Sequence, residues 1–213
     1  MRRTALIAAP IASLAIAAGL ALSPASTPAT ADTTNSTASA HPGSHYRADT
    51  VHSSLVFQIK HAGVTNFYGR FNGITGEFTI ADESIEKSHF EAAIDLETVD
   101  TGNGNRDNHL KGPDFFNVRQ FPEATFESTN IRRLSGDRYE VTGDFSLHGV
   151  TREITGEMEY HGTGRFRNND IAAFEARLSI NRSDFGITQY LDNGTLGDQV
   201  VITVAVEGVK QDD

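Results

Sequence analysis

A two-residue rhythm runs through this chain from about Tyr46 to about Gly208, and few folds accept it. In the stretch His52 to His61, Leu55, Phe57 and Ile59 recur at every second position while Ser54, Gln58 and Lys60 fill the gaps. That is the pattern of a strand with one wet and one dry face. Similar short segments follow with turn residues between them, which predicts an all-β chain. So many dry faces need a common partner, either a second sheet or the inside of a closed barrel.

In Val64–Ile80 the residues Phe67, Gly69 and Phe71 share one parity while Gly76, Phe78 and Ile80 share the other, with the change at Asn72-Gly73. A hairpin and a glycine bulge in one long strand both fit that change. Phe90, Ala92, Ile94 and Leu96 form the next apolar face. The segment Arg106–Phe116 breaks the rhythm, because Leu110, Phe115 and Phe116 are not spaced by two and Gly112-Pro113 stops a helix. It predicts a short helical excursion near residues 105–116, with Phe115 and Phe116 placed to fold over a barrel opening.

Extended structure resumes at Phe121-Pro122, with Ala124, Phe126 and Ser128 on one face. Tyr139, Val141, Gly143, Phe145 and Leu147 line the next strand, and Ile154, Gly156, Met158 and Tyr160 the one after it. Beyond a turn over Gly162–Asp170 come Ala172, Phe174, Ala176, Leu178 and Ile180, and then Val200, Ile202, Val204 and Val206. About eight strands result, the number at which an antiparallel barrel either fills with side chains or holds one small ligand. Three segments share a grammar, Thr75-Gly76-Glu77-Phe78, Thr142-Gly143-Asp144-Phe145 and Thr155-Gly156-Glu157-Met158. It predicts a glycine where a coiled strand bends inward, an acid pointing out and a bulky apolar residue pointing in.

The residues ahead of this domain differ in kind. Arg2-Arg3, an uncharged apolar run from Ala5 to Leu22 and Ala29-Thr30-Ala31 make residues 1–31 a secretory signal peptide, a retained membrane anchor being the alternative. Residues 32–44 hold too few large apolar groups to offset their ordering entropy and predict a disordered linker. The domain is then residues 45–211, and its expected location is periplasmic or secreted. Loss of Arg2 and Arg3 takes the formal charge from −10 to −12, which disfavours nucleic acid as a partner. No later stretch is long and apolar enough to span a bilayer.

Little in the sequence points to reaction chemistry. The chain has no cysteine, which excludes thiol nucleophiles and cysteine-held metals. His52 and His61 are nine residues apart, so a regular strand turns them to opposite faces. His109 with Asp107 and Asp114 lies in irregular structure, without a recognisable ligand spacing, and no metal is expected. Ser53-Ser54 beside His52 lacks the elbow and oxyanion glycines of a hydrolase, and most acids alternate outward, so no catalytic residue is expected. Arg182 and Asp184 fit either a locked turn or a polar ring at a barrel mouth, and Arg106 invites the same two readings. His61 has the parity of Leu55, Phe57 and Ile59, which predicts an inner position at its strand's end, as a satisfied structural histidine or a head-group contact.

His52-Ser53 with Phe57 and His61, Gly69-x-Phe71, the run Leu110 to Phe126, Gly143 with Leu147-His148-Gly149, and Asn181-Arg182-x-Asp184-Phe185-Gly186 together resemble the YceI-like family of secreted polyisoprenoid-binding proteins. The resemblance implies a lipocalin-like, eight-stranded antiparallel barrel that holds a long isoprenoid-type lipid, such as a polyprenyl lipid or isoprenoid quinone tail, often as a homodimer. It implies binding without catalysis and no cofactor beyond that lipid. The inward stripe is then the ligand-binding lumen: Leu55, Phe57, Ile59 and His61, Phe71 and Phe78, Phe90 and Ile94, Phe115 and Phe116, Phe126, Phe145 and Leu147, Met158, Phe174 and Leu178, Ile202 and Val204. Small Ala92, Gly143, Gly156, Ala172 and Ala176 share the inward parity and suit a partly hollow interior. The competing reading is a filled barrel that serves as a stress-related protein-interaction module.

Overall fold

The inward stripes find one another around a closed wall. The computed structural model describes residues 42–212; the signal peptide and residues 32–41 of the linker lie outside them. The strands are β1 Ser44–Ala48, β2 Ser54–His61, β3 Thr65–Phe71, β4 Ile74–Ile80, β5 His89–Asp95, β6 Val99–Asp100, β7 Glu123–Ser135, β8 Arg138–Leu147, β9 Val150–Phe166, β10 Asn169–Asn181 and β11 Leu196–Lys210. The helix α1, Gly104–Lys111, interrupts them after β6. Ser44, the last residue of the expected linker, already belongs to β1.

Eleven strand segments occupy eight wall positions. β1 pairs with β4 and β11, while β2 pairs with β3 and the same β11, so β1 and β2 are two lengths of one staggered strand. β3 and β4 likewise form one strand bent at Asn72-Gly73, because neither pairs with the other. Asn72-Gly73 is therefore a kink and not a hairpin. β5 and β6 lie along β4 and β3 in turn. β7 to β11 then run as an antiparallel meander, and β11 closes the ring against β1 and β2. The result is a closed, eight-stranded antiparallel β-barrel with one short helix.

The three Thr-Gly-acid-apolar segments show why they need glycine. A Cβ on Gly76 would stand 2.3 Å from the Glu91 carbonyl oxygen, one on Gly143 2.4 Å from that of Glu127, and one on Gly156 2.8 Å from that of Arg177. At each position the neighbouring strand occupies the space a side chain would need. Gly143 also lies under the Phe126 ring, at 2.5 Å from the same imaginary Cβ. These inward glycines seat neighbouring strands and rings, and Gly76 and Gly156 also line the barrel interior.

One expectation needs correction. Gly162–Asp170 is mostly strand, since β9 runs to Phe166 and β10 begins at Asn169. The glycines there keep their ladder bonds, and the irregularity falls instead between Ala173 and Phe174, opposite His161. Among the described residues no helix is long and apolar enough to cross a membrane.

Candidate functional site

The interior holds two neighbouring apolar chambers. The lower one, of about 100 Å³, is lined by Phe78, Phe90, Phe126, Met158, Phe174, Ala176, Leu178, Val204 and their neighbours. The upper one, of about 130 Å³, lies beneath α1 and is lined by Phe57, Ile59, Phe71, Phe115, Phe116, Leu147 and others. Leu55, Ile94, Phe145 and Ile202 line both and form the partition between them. Of the residues selected from the sequence, all but His61 line one chamber or both.

Each wall position contributes for the same reason. Once the strand tilts into a barrel, alternate side chains converge on the axis. Their size then closes the ends. Below, Tyr46 stacks on Phe78 with ring centroids 5.2 Å apart, and Phe78, Phe90 and Phe174 form a triangle at 5.8, 5.3 and 4.9 Å. Tyr139 and Tyr160 share this end, and burial raises the pKa of both phenols, with Tyr46 and Tyr139 adding to the effect on Tyr160.

Above, Phe71 packs at 5.7 Å from Phe57 and 5.6 Å from Phe116. The helical excursion thus brings Leu110, Phe115 and Phe116 into the wall of the upper chamber. Asn103 begins α1 by accepting from Arg106 N at 3.1 Å. The Arg106 guanidinium lies 4.5 Å over the Phe67 ring while its Nε and Nη2 donate to Thr101 Oγ1 and O at 2.8 and 2.7 Å. Asp107 accepts from Thr101 N at 2.9 Å, and His109 instead meets Asp114 at 3.2 Å. These contacts tie the excursion down and gather no metal-ligand set.

His61 departs from the expectation. The wall next to it is irregular, with a register shift between Leu196 and Val200, and Ala62 follows at φ 50. His61 still pairs with Thr65 and Leu196 as the last residue of β2, and its side chain is exposed. Arg182 supplies a cation at this end instead. It is 4% exposed and lines the upper chamber. Its Nε, Nη1 and Nη2 donate to the carbonyls of Gly197, Ile187 and Leu196 at 2.8, 3.0 and 3.3 Å. Burial lowers its pKa, and the Asp198 charge opposes that.

Ile187 and Leu196 complete this end of the lumen, and periodicity could not have found them because they lie outside any alternating run or at its first residue. Val141, Ile154 and Val206, which also line the lower chamber, carry the inward parity in the sequence itself. Ser53 Oγ contacts the backbone of Glu207 at 3.3–3.4 Å, while His52 Nδ1 meets Asp49 Oδ2 at 2.9 Å. The neighbouring serine and histidine therefore serve separate structural bonds.

Comparison with known proteins agrees with this architecture. The profile of the YceI-like domain matches residues 46–208. A UPF0312 protein of Yersinia pestis is 38% identical over 164 residues, covering 75% of this chain and 82% of its own length. The crystal structure of BcnA from Burkholderia cenocepacia superposes with a TM-score of 0.69 at 22% identity, over 75% of this chain and 98% of that one. A Saccharophagus degradans structure, described as a polyisoprenoid-binding domain implicated in plant cell wall breakdown, gives 0.62 at 18% identity over 78% and 98%. With a domain match over most of the barrel and a relative at this identity, the chain belongs to the YceI-like family.

Proposed function

We propose that this protein binds an isoprenoid-type lipid and carries or sequesters it, by enclosing the hydrocarbon tail in the barrel interior without making or breaking a bond. The observation that carries the reading is the pair of apolar chambers on one axis, walled by inward side chains from all around the barrel. Family membership and the polyisoprenoid-binding description of the S. degradans neighbour support it. A polyprenyl lipid or isoprenoid quinone tail suits such a lumen. Each buried methylene is worth about 0.8 kcal/mol, so a five-carbon unit contributes roughly 3 kcal/mol and the tail dominates affinity.

The chambers of about 100 and about 130 Å³ are smaller than the ~300 Å³ at which ligand pockets usually begin. A long tail therefore needs Leu55, Ile94, Phe145 and Ile202 to change rotamer and join them. The same small volumes favour the second reading, a filled barrel that acts as a stress-related protein-interaction module. The export pattern in residues 1–31 supports a periplasmic or secreted location, and the homodimer belongs to the same family-based reading.

Native mass spectrometry of gently purified exported protein tests these points together. The expected result is a chain beginning at Asp32, carrying a lipid-sized mass, in the monomer or dimer it forms. Ala176→Phe fills the lower chamber from a position with a Cβ already in place, whereas at Gly156 the Arg177 carbonyl stands 2.8 Å from where a Cβ would be. The folded Ala176→Phe protein should lose long tails first. A clean apo mass that takes up no added polyprenyl lipid, or equal uptake of long and short tails by the variant, sinks the tunnel reading.

A further inference from the structure

The outer wall carries a row of carboxylates that lipid binding in the lumen leaves unexplained. The registers of β4, β5, β7, β8 and β9 set Glu77 opposite Glu91, Glu91 opposite Glu127, Glu127 opposite Asp144, and Asp144 opposite Glu153. All five are exposed. Like charges directly opposite one another destabilise a sheet. Glu77 is offset by Arg47 at 3.1 Å and His45 at 3.3 Å. Glu91 and Glu127, in the middle of the row, face an imidazole: His89 Nε2 lies 2.8 Å from Glu91 Oε1 and 3.9 Å from Glu127 Oε1.

This imidazole is held in place. The His89 side chain is only 15% exposed, and its Nδ1 lies 3.5 Å from Ser128 Oγ. Ser128 is itself buried and accepts from Phe90 N at 2.9 Å. The ring thus presents Nε2 to both carboxylates, and the three donor atoms lie within 4.8 Å of one another.

We propose that His89 Nε2 and the carboxylates of Glu91 and Glu127 form a binding site for a first-row divalent cation of the Zn²⁺ type, with solvent in the remaining coordination positions. Imidazole and carboxylate are ordinary zinc donors at about 2.0–2.2 Å. Two such donors on one tetrahedral ion stand about 3.3 Å apart, midway between the two separations seen. With Nε2 on the metal, Nδ1 would carry the proton and face Ser128 Oγ, the kind of outer contact by which a ligating histidine is usually oriented. The cation neutralises two acids held in register and ties β5 to β7 from outside, leaving the lumen unchanged.

Asp49, His52 and Glu207 make a second cluster of similar dimensions. There Asp49 Oδ1 accepts from Val51 N at 2.8 Å and His52 N at 3.3 Å while Oδ2 meets the His52 ring. That carboxylate is occupied in closing a turn, which makes the cluster an internal control.

The full chain is titrated with Zn²⁺ by calorimetry and with Co²⁺ by visible absorption. The parent should bind and give the d–d bands of a tetrahedral or five-coordinate ion. H89Q, and separately E91Q/E127Q, should lose roughly tenfold or more in affinity together with those bands, while H52Q keeps both. Without metal E127Q should melt no lower than the parent, because it relieves repulsion, and Zn²⁺ should raise the melting temperature of the parent but not of E127Q. No uptake by the parent, or an unchanged Co²⁺ spectrum and affinity in both H89Q and E91Q/E127Q, would overturn the site.

Discussion

Arg182 places a buried charge where, among the described residues, no carboxylate bonds it directly. Its three donors satisfy the carbonyls of Ile187, Leu196 and Gly197, so one side chain joins the 3₁₀ turn Arg182–Phe185 to the loop beyond it and to the start of β11. Arg182→Met keeps the apolar stem and removes every donor. A carbonyl left unpaired in the interior costs about 1–3 kcal/mol, and chemical denaturation should show a loss of ~2–4 kcal/mol. Asp184→Asn should change stability by less than about 0.5 kcal/mol. Equal losses in the two variants would restore a local Arg–Asp lock. The sequence shows Arg182 beside Asp184 and a locked turn is legible from that, but the acid that braces the turn is Asp198, which accepts from Ser183 N and Oγ at 2.9 and 2.7 Å. Only the pairing of β10 with β11 brings it there, so the partner could not be read locally.

Between β1 and β2 the chain leaves the wall for a short strap over residues 49–53, in which His52 Nδ1 meets Asp49 Oδ2. The hydrogen bond from His52, followed by that from Val51 N, holds the Asp49 carboxyl below the usual range. The same bond, then the Asp49 charge, holds His52 above it. A lowered acid stabilises the strap above the ordinary aspartate value and loses that contribution as pH falls. A raised histidine stabilises it below its ordinary value and loses the contribution as pH rises through the folded one. With ordinary values of about 3.9 and 6.5, both contributions are full between about pH 4 and 6.5. Hydrogen exchange of the Ser53 amide, which donates to Asp49 O at 2.9 Å, should be most protected there and less so as pH rises towards about 8.5, after correction for intrinsic exchange. Protection that stays flat across that range contradicts the pairing. The alternation of Leu55, Phe57 and Ile59 makes β2 legible in sequence. The strap is not, because β1 offers too few residues to show a rhythm and Asp49 reaches His52 through a turn. The kink at Asn72-Gly73 was open between two local geometries, and only the choice of partner strands decides it.

For the molecule as a whole, alternation is enough to read a barrel of eight positions and nearly all of its lining, because parity is a local property that closure preserves. The division of the lumen is not legible, since it depends on which inward side chains meet across the axis. Leu55, 3% exposed, stands in that partition. Leu55→Ala should merge the chambers at a cost of about 2–5 kcal/mol, and a tail-length series followed by native mass spectrometry should show bulkier tails accepted more readily. Unchanged preference would mean that the partition does not gate the lumen.

The barrel is sealed by its extremes, with Tyr46 of β1 opposite Lys210 of β11. Such a seam joins residues from the two ends of the domain, and contacts that distant in sequence form late. A chain supplied from its N-terminus can pair its middle strands while the ring still lacks its final stave. Closure, and with it any retention of a guest, waits until the last fifteen-residue strand is available.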